Sequence, residues 1–437
     1  MTSLRRNLRY VSWLVSDTSK GLAQTLFSFA IPLLALIVTD DPALAGIIGA
    51  VGLTIRVVLT LFGGVLADRH RRITLMVLGS AIGVVLSVGF TLLALGDALT
   101  FGILLVADAL LAARTGLFDS AGESALKDIV TSDTMGRAQA ANSARDSVLQ
   151  LAGGPIGGAL LVVGGWLVGA VMALCHLVAA VSAALIPRLR GPEIEAVPQA
   201  AVAAPSPRPN ALREIREGFS WLFSRPDLRG VLLILTIINL GINTVMTTIV
   251  YSLQQSGESP AVIGLISAGL GGSMLVGALL ASVVVTRVGA GLLMMIGLVA
   301  LTVGAAATTL VQAPLWIVAV MAIPGLTLGP LNAAMGGYFM VATPSGMMGR
   351  ASSASNVFAM GAMPLAPLIA GFGLNWFGRS GSILIGAGLC ALAAVMALSN
   401  RGLRSLPAEA DWAAHAARFA DAEADAVANT DAEAPVR

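Results

Sequence analysis

The sequence predicts an all-α membrane protein of twelve transmembrane helices in two pseudo-symmetric six-helix bundles. Three observations predict it. First, 56% of the 437 residues are hydrophobic and 11% are charged, with a mean hydropathy of +0.86; a water-soluble domain carries about 25% charged residues. Second, apolar runs long enough to cross a bilayer, about 20 residues each, recur along the whole chain. Third, short segments of the first half return in the second at a nearly constant offset.

Taken in order, the runs place spans at 10–38, 43–66, 73–95, 99–124, 138–163, 167–187, 230–253, 261–285, 291–312, 315–342, 351–375 and 381–399. The breaks carry turn residues such as Asp40-Asp41-Pro42, Gly96-Asp97, Gly164-Gly165, Ala313-Pro314 and Gly378-Arg379. Arg5, Arg6 and Arg9 precede a first stretch interrupted by Asp17 and Lys20, which reads as a retained helix and not a cleaved signal. Cys175 and Cys390 lie inside apolar runs and form neither a disulfide framework nor a metal site.

Orientation follows from the arginines. Arg69, Arg71, Arg72, Lys127, Arg137, Arg188, Arg287, Arg350, Arg401 and Arg404 fall in loops on one side, and Arg379 alone on the other. The basic side is cytoplasmic, both termini face it, and the span count is even. Net charge is only +2, so no nucleic-acid partner is expected.

The chain divides into a first half at 1–187, a cytoplasmic linker at 188–225, a second half at 226–404 and an acidic tail at 405–437. Six prolines between Pro187 and Pro209 mark a flexible linker. In the stretch after it, Leu212, Ile215, Phe219, Leu222 and Phe223 share helical spacing, which predicts an amphipathic helix on the inner membrane surface. The tail, Ala-rich with seven acids against two arginines, is expected to be mobile. The halves repeat each other: Pro42-Ala43-Leu44-Ala45-Gly46 returns 218 positions later as Pro260-Ala261-Val262-Ile263-Gly264, and Met135-Gly136-Arg137-Ala138 returns 213 positions later as Met348-Gly349-Arg350-Ala351.

Between spans two and three stands Gly63-Gly64-Val65-Leu66-Ala67-Asp68-Arg69-His70-Arg71-Arg72. It resembles the cytoplasmic loop signature of the major facilitator superfamily. The resemblance implies that Asp68 latches the cytoplasmic gate with Arg69, Arg71 or Arg72, and that Gly64 lets helices approach. Gly153-Gly154-Pro155-Ile156-Gly157-Gly158 in span five is similar to an element of that family's antiporter branch, which implies export against a counter-ion; the expected contributors are Gly154, Pro155 and Gly158. Glu217–Arg229 and Ala125–Asn142 resemble segments of the macrolide-efflux and enterobactin-exporter-like branch.

Ionisable residues inside a membrane persist where they pair or work. Read by depth they are Asp17 and Lys20 in span one, Arg56 in span two, Asp108, Arg114 and Asp119 in span four, and Arg145 and Asp146 in span five. Spans seven to twelve hold none. If protons are the coupling ion, their carrier lies in the first half, with Asp119 and Asp108 first and Asp17 next. The second half offers Asn239, Asn243, Asn332 and Asn356 as walls of a largely apolar substrate cavity, or as interhelical hydrogen-bonding groups.

The two lysines, Lys20 and Lys127, follow no phosphate-binding loop, which excludes an ATP-driven pump. His70, His176 and His415 form no catalytic or metal constellation. The expectation is therefore not an enzyme and needs no cofactor or metal. It is a monomeric, proton-coupled efflux antiporter for a medium-sized amphipathic compound (a drug, macrolide or siderophore) in a bacterial inner membrane, working by rocker-switch alternating access. The alternatives are an uptake permease for a small metabolite and a non-transporting sensor or scaffold of the same fold.

Overall fold

The computed structural model describes residues 7–188, 211–224, 226–344 and 347–418. The linker prolines between 189 and 210, the basic pair Arg5 and Arg6, and the tail beyond 418 lie outside the described residues, as do the side chains of Asp68, Leu212 and Ile215. The described residues form no strand. The helices in chain order are α1 (Leu8–Thr39), α2 (Pro42–Arg69), α3 (Arg72–Leu95), α4 (Phe101–Phe118), α5 (Ser120–Leu126), α6 (Ser132–Val163), α7 (Gly165–Leu185), α8 (Ala211–Ser224), α9 (Pro226–Gln255), α10 (Pro260–Val284), α11 (Ala290–Ala307), α12 (Pro314–Ala342), α13 (Met348–Gly361), α14 (Leu365–Ser399) and α15 (Arg401–Arg404). Among these residues, eleven stretches are long and apolar enough to cross a membrane; the last, Arg350–Ser399, has 50 residues, more than twice what one crossing needs.

Local chemistry explains the ends. Asn7 caps α1 by accepting from the backbone N–H groups of Arg9 and Tyr10, and Asp41 caps α2 with Pro42 in the first turn. Gly378 adopts φ +67°, which divides the long last stretch where Gly378-Arg379 was expected to turn. The expected span at 351–375 is not one continuous helix: the chain turns between α13 and α14, where Pro364 removes a backbone donor. The expected span at 99–124 likewise bends at Asp119, between α4 and α5.

The chain forms two compact units. The first contains residues up to Ala204 together with Met246–Gly271 and Pro364–Ser382. In it α6 meets α10 at Gly154 against Gly264 and Gly158 against Pro260, and α2 meets α14 at Gly46 against Pro367 and Gly371 against Pro42. A Cβ at any of these glycines would collide with the facing helix. Asp41 adds a polar tie, accepting from Asn375 Nδ2 at 2.7 Å.

The second unit contains Pro205–Val245, Gly272–Met363 and the residues from Ile383 onward. Here the apolar face of α8 packs on protein. Phe219 and Phe223 pack their rings on Phe358 of α13 at 5.1 and 5.5 Å between centroids, Leu222 is fully buried, and Glu217 pairs with Arg350 at 3.0 Å. The tail also differs from expectation as far as it is described. Residues 412–418 are helical, Trp412 is buried over Gly337, and His415 Nδ1 lies 3.0 Å from the Tyr338 hydroxyl. The carbonyls of Leu406 and Pro407 accept from the first N–H groups of α11, which would otherwise lack partners.

Candidate functional site

The first unit contains both a network of ionised side chains and a cavity beside it. Along α1 the polar residues Asp17, Lys20 and Gln24 fall three and four apart and therefore share one face. On α4, Asp108, Leu111, Ala112 and Thr115 do the same, and Asp119 follows four residues on, at the end of the helix. Facing each other, these stripes bring together most of the charges that the sequence scatters over four spans.

Asp17 is the inner node. Its carboxylate lies 2.9 Å from Lys20 Nζ and 2.9 Å from Arg145 Nη2, and Arg145 also pairs with the exposed Asp146 at 2.8 Å. The Arg145 guanidinium sits over the ring of Trp13 at 5.8 Å. Gly122 of α5 makes room: a Cβ there would come within 2.6 Å of the Asp17 carboxylate. Asp119 is the second node, 3.1 Å from Arg114 Nη2 and 3.6 Å from Lys20 Nζ. Arg114 is 4% exposed and also donates through Nε to the Gly79 carbonyl at 3.0 Å. Gln24 joins Arg56 to this node. With its amide oxygen toward Arg56, Gln24 accepts from both guanidinium nitrogens at 3.2 Å and donates to Asp119 Oδ2 at 2.8 Å. Buried charges held this way are paired from several sides, as burial requires.

Asp108 stands apart. It is 7% exposed, and among the described residues its carboxylate makes neither an ion pair nor a hydrogen bond. The carboxylate fits against Gly52 of α2, where a Cβ would overlap it. Asp108 faces a cavity of about 200 Å³, lined also by Gln24, Phe27, Arg56, Arg114, Met172, His176, Thr247 and Tyr251. His176 is 1% exposed; its ring nests on Gly83, and Nδ1 is enclosed with no hydrogen-bond partner. Tyr251 is equally buried. The cavity thus has an apolar and aromatic wall, an arginine pair on one side, and a carboxyl group with an imidazole that have no hydrogen-bond partner among the described residues.

All seven charged candidates of the first half are placed: Asp17, Arg114, Asp119, Arg145 and Asp146 in the ion network, Arg56 beside it through Gln24, and Asp108 alone in the cavity. Asn239, Asn243, Asn332 and Asn356 are not among the residues that line this cavity; Asn243 donates to the Asn239 carbonyl of its own helix at 2.8 Å. In the loop signature, Arg72 pairs with Asp128 at 2.8 Å and donates to the Ser124 carbonyl, while Arg69 and Arg71 are exposed. The close helix approach expected at Gly64 falls one residue earlier. A Cβ on Gly63 would strike the Gly116 carbonyl of α4, whereas Gly64 has open space. Gln24, His176 and Tyr251 are site residues that the search for charges passes over; the spacing of Gln24 from Asp17 and Lys20 was the available signal.

The model of the Major Facilitator Superfamily matches residues 18–256 and 231–420. Among solved structures, the chain is similar to a bacterial homologue of the iron transporter ferroportin in its inward-facing state, at 15% identity and TM-score 0.69 over 92% of this chain and 100% of that one. It is similar to a D-xylose–proton symporter at 14% identity and TM-score 0.66, covering 90% and 98% of the two chains. A nucleoside transporter matches at 14% identity and TM-score 0.66, over 89% and 100%. A comparison with curated protein sequences gives no match. The chain belongs to the major facilitator superfamily and is a multi-pass membrane protein with the transporter fold of that family.

Proposed function

We propose that the protein is a proton-coupled efflux antiporter of the macrolide-efflux and enterobactin-exporter-like branch, and that its substrate is a medium-sized amphipathic compound with a cationic nitrogen. The observation that carries this reading is the isolation of Asp108 in the cavity. A carrier must change its charge during the cycle. Asp17 and Asp119 each have two cations in contact. Among the described residues Asp108 has no such partner, and a charge left buried alone is costly. A proton relieves that cost, and so does an organic cation resting on the faces of Phe27 and Tyr251. One carboxyl that accepts either couples the two by exclusion.

The loop charges support a cytoplasmic-membrane orientation with both termini inside, and the tight α2–α14 and α6–α10 glycine contacts lie at the opposite, outer end. Asp68 and Arg72 are assigned to the inner gate, and the two halves rock about the cavity as a monomer. The reading is tested in proteoliposomes with the membrane potential clamped and a pH gradient imposed, using a panel of quaternary ammonium compounds and cationic dyes. Gradient-driven export is expected from the wild type and not from Asp108→Asn. Gradient-driven export that survives in Asp108→Asn contradicts the assignment, and accumulation in the direction of the proton gradient would make the protein an uptake permease.

A further inference from the structure

On the far side of α4 from the cavity, an apolar groove of about 520 Å³ runs between α3 and α4. Leu86, Phe90 and Leu93 form one flank, and Val106 and Leu110 the other. Its length from Thr100 to Leu111 is about 16 Å along the helix, close to the depth of one leaflet of a ~30 Å hydrocarbon core. Leu93 and Thr100 line it beside the Gly96-Asp97 turn, which the loop charges place outside.

The groove and the cavity share a wall. Leu111, 5% exposed, lines both. The other contact is aromatic: Phe27 lines the cavity, Phe90 lines the groove, and their rings meet edge to face at 6.4 Å. Where they meet, the side chains of Leu111, Phe27 and Phe90 stand between the cavity that holds Asp108 and the groove. Apolar space of that length, ending one helical turn from an unpaired carboxylate, matches an amphiphile with a cationic head and a single alkyl tail.

We propose that the α3–α4 groove receives the alkyl tail of the transported cation, and that Leu111 with the Phe27–Phe90 pair is the partition the substrate crosses between the cavity and the outer leaflet. The proposal rests on the antiport reading for the role of Asp108. The apolar lining and the shared wall place the tail in the groove independently of it.

Two glycines make the test clean. A Cβ on Gly89 or Gly102, both in the groove wall, meets nothing within 4 Å, so Gly89→Leu and Gly102→Leu start in open space, extend into the groove and favour the helix. Transport of butyltrimethylammonium and dodecyltrimethylammonium is compared in proteoliposomes. Filling the groove should slow the dodecyl compound about tenfold or more and leave the butyl compound within about twofold. Leu111→Trp should block the dodecyl compound as well. Equal slowing of both chains, or none, overturns the proposal. A second measurement needs no transport: a dodecyltrimethylammonium analogue with a diazirine at the tail end is photolysed with the purified protein in nanodiscs. Labels on α3 and α4 that unlabelled dodecyltrimethylammonium displaces support the groove; labels spread evenly over lipid-facing helices mean annular lipid only and overturn it. If the wild type transports neither compound but the labels map to the groove, the antiport reading fails and the groove stands.

Discussion

Asp119 touches Arg114, Lys20 and Gln24 at once, so its removal leaves two buried cations facing each other. Asp119→Asn is expected to destabilise the protein by about 3–5 kcal/mol, read as a fall in the unfolding midpoint of purified protein. Asp108→Asn puts a neutral isostere where no cation contacts the carboxyl group among the described residues, and should leave that midpoint unchanged or raised. The two substitutions look alike in sequence and should separate cleanly. Space matters as much as charge here. Gly52→Val drives a side chain into the Asp108 carboxylate and should reduce transport as severely as Asp108→Asn, although position 52 carries no chemistry; an active Gly52→Val would show that the carboxylate need not sit where it does. The charged members of the site were legible because ionised groups are rare and costly in apolar runs. Gln24, His176 and Tyr251 were not singled out, because neutral polar side chains raise no such alarm. Nor did the glycines at 52, 83 and 122 show which side chain each receives, since that depends on which helix faces which.

At the scale of elements, most spans were legible from run length alone, and the misses have physical causes. Pro364 breaks the expected span at 351–375, and the amphipathic stripe of α8 packs on a protein face of α13. Amphipathic spacing states that one face is apolar and cannot say what covers it. The ring contacts of Phe358 with Phe219 and Phe223 are each worth about 0.5–1.5 kcal/mol. The exposed Glu217–Arg350 pair is worth about 0–1 kcal/mol. Phe358→Ala should therefore destabilise the α8–α13 contact, seen as faster proteolysis at the start of α8, while Glu217→Gln should barely alter it. In the α6–α10 contact, Gly158→Val forces a side chain against the Pro260 carbonyl and should cost about 1–3 kcal/mol, with Gly64→Ala, in open space, as the neutral comparison.

At the scale of the molecule, the fold class was visible in composition and periodicity, and the asymmetry of buried charge between the halves was visible in the sequence as well. The separation of roles among those charges was not. Depth ranked Asp119 with Asp108, and only packing divides them into a member of a braced network and a lone carboxyl in a cavity. That division makes Asp108 the group on which protons and substrate compete. The competition is measured by adding dodecyltrimethylammonium, a permanent cation that carries no proton, to purified protein in weakly buffered solution with a pH indicator. Release of about one proton per cation bound is expected from the wild type, and none from Asp108→Asn; an undiminished release from Asp108→Asn would place the exchanging proton elsewhere and contradict the assignment.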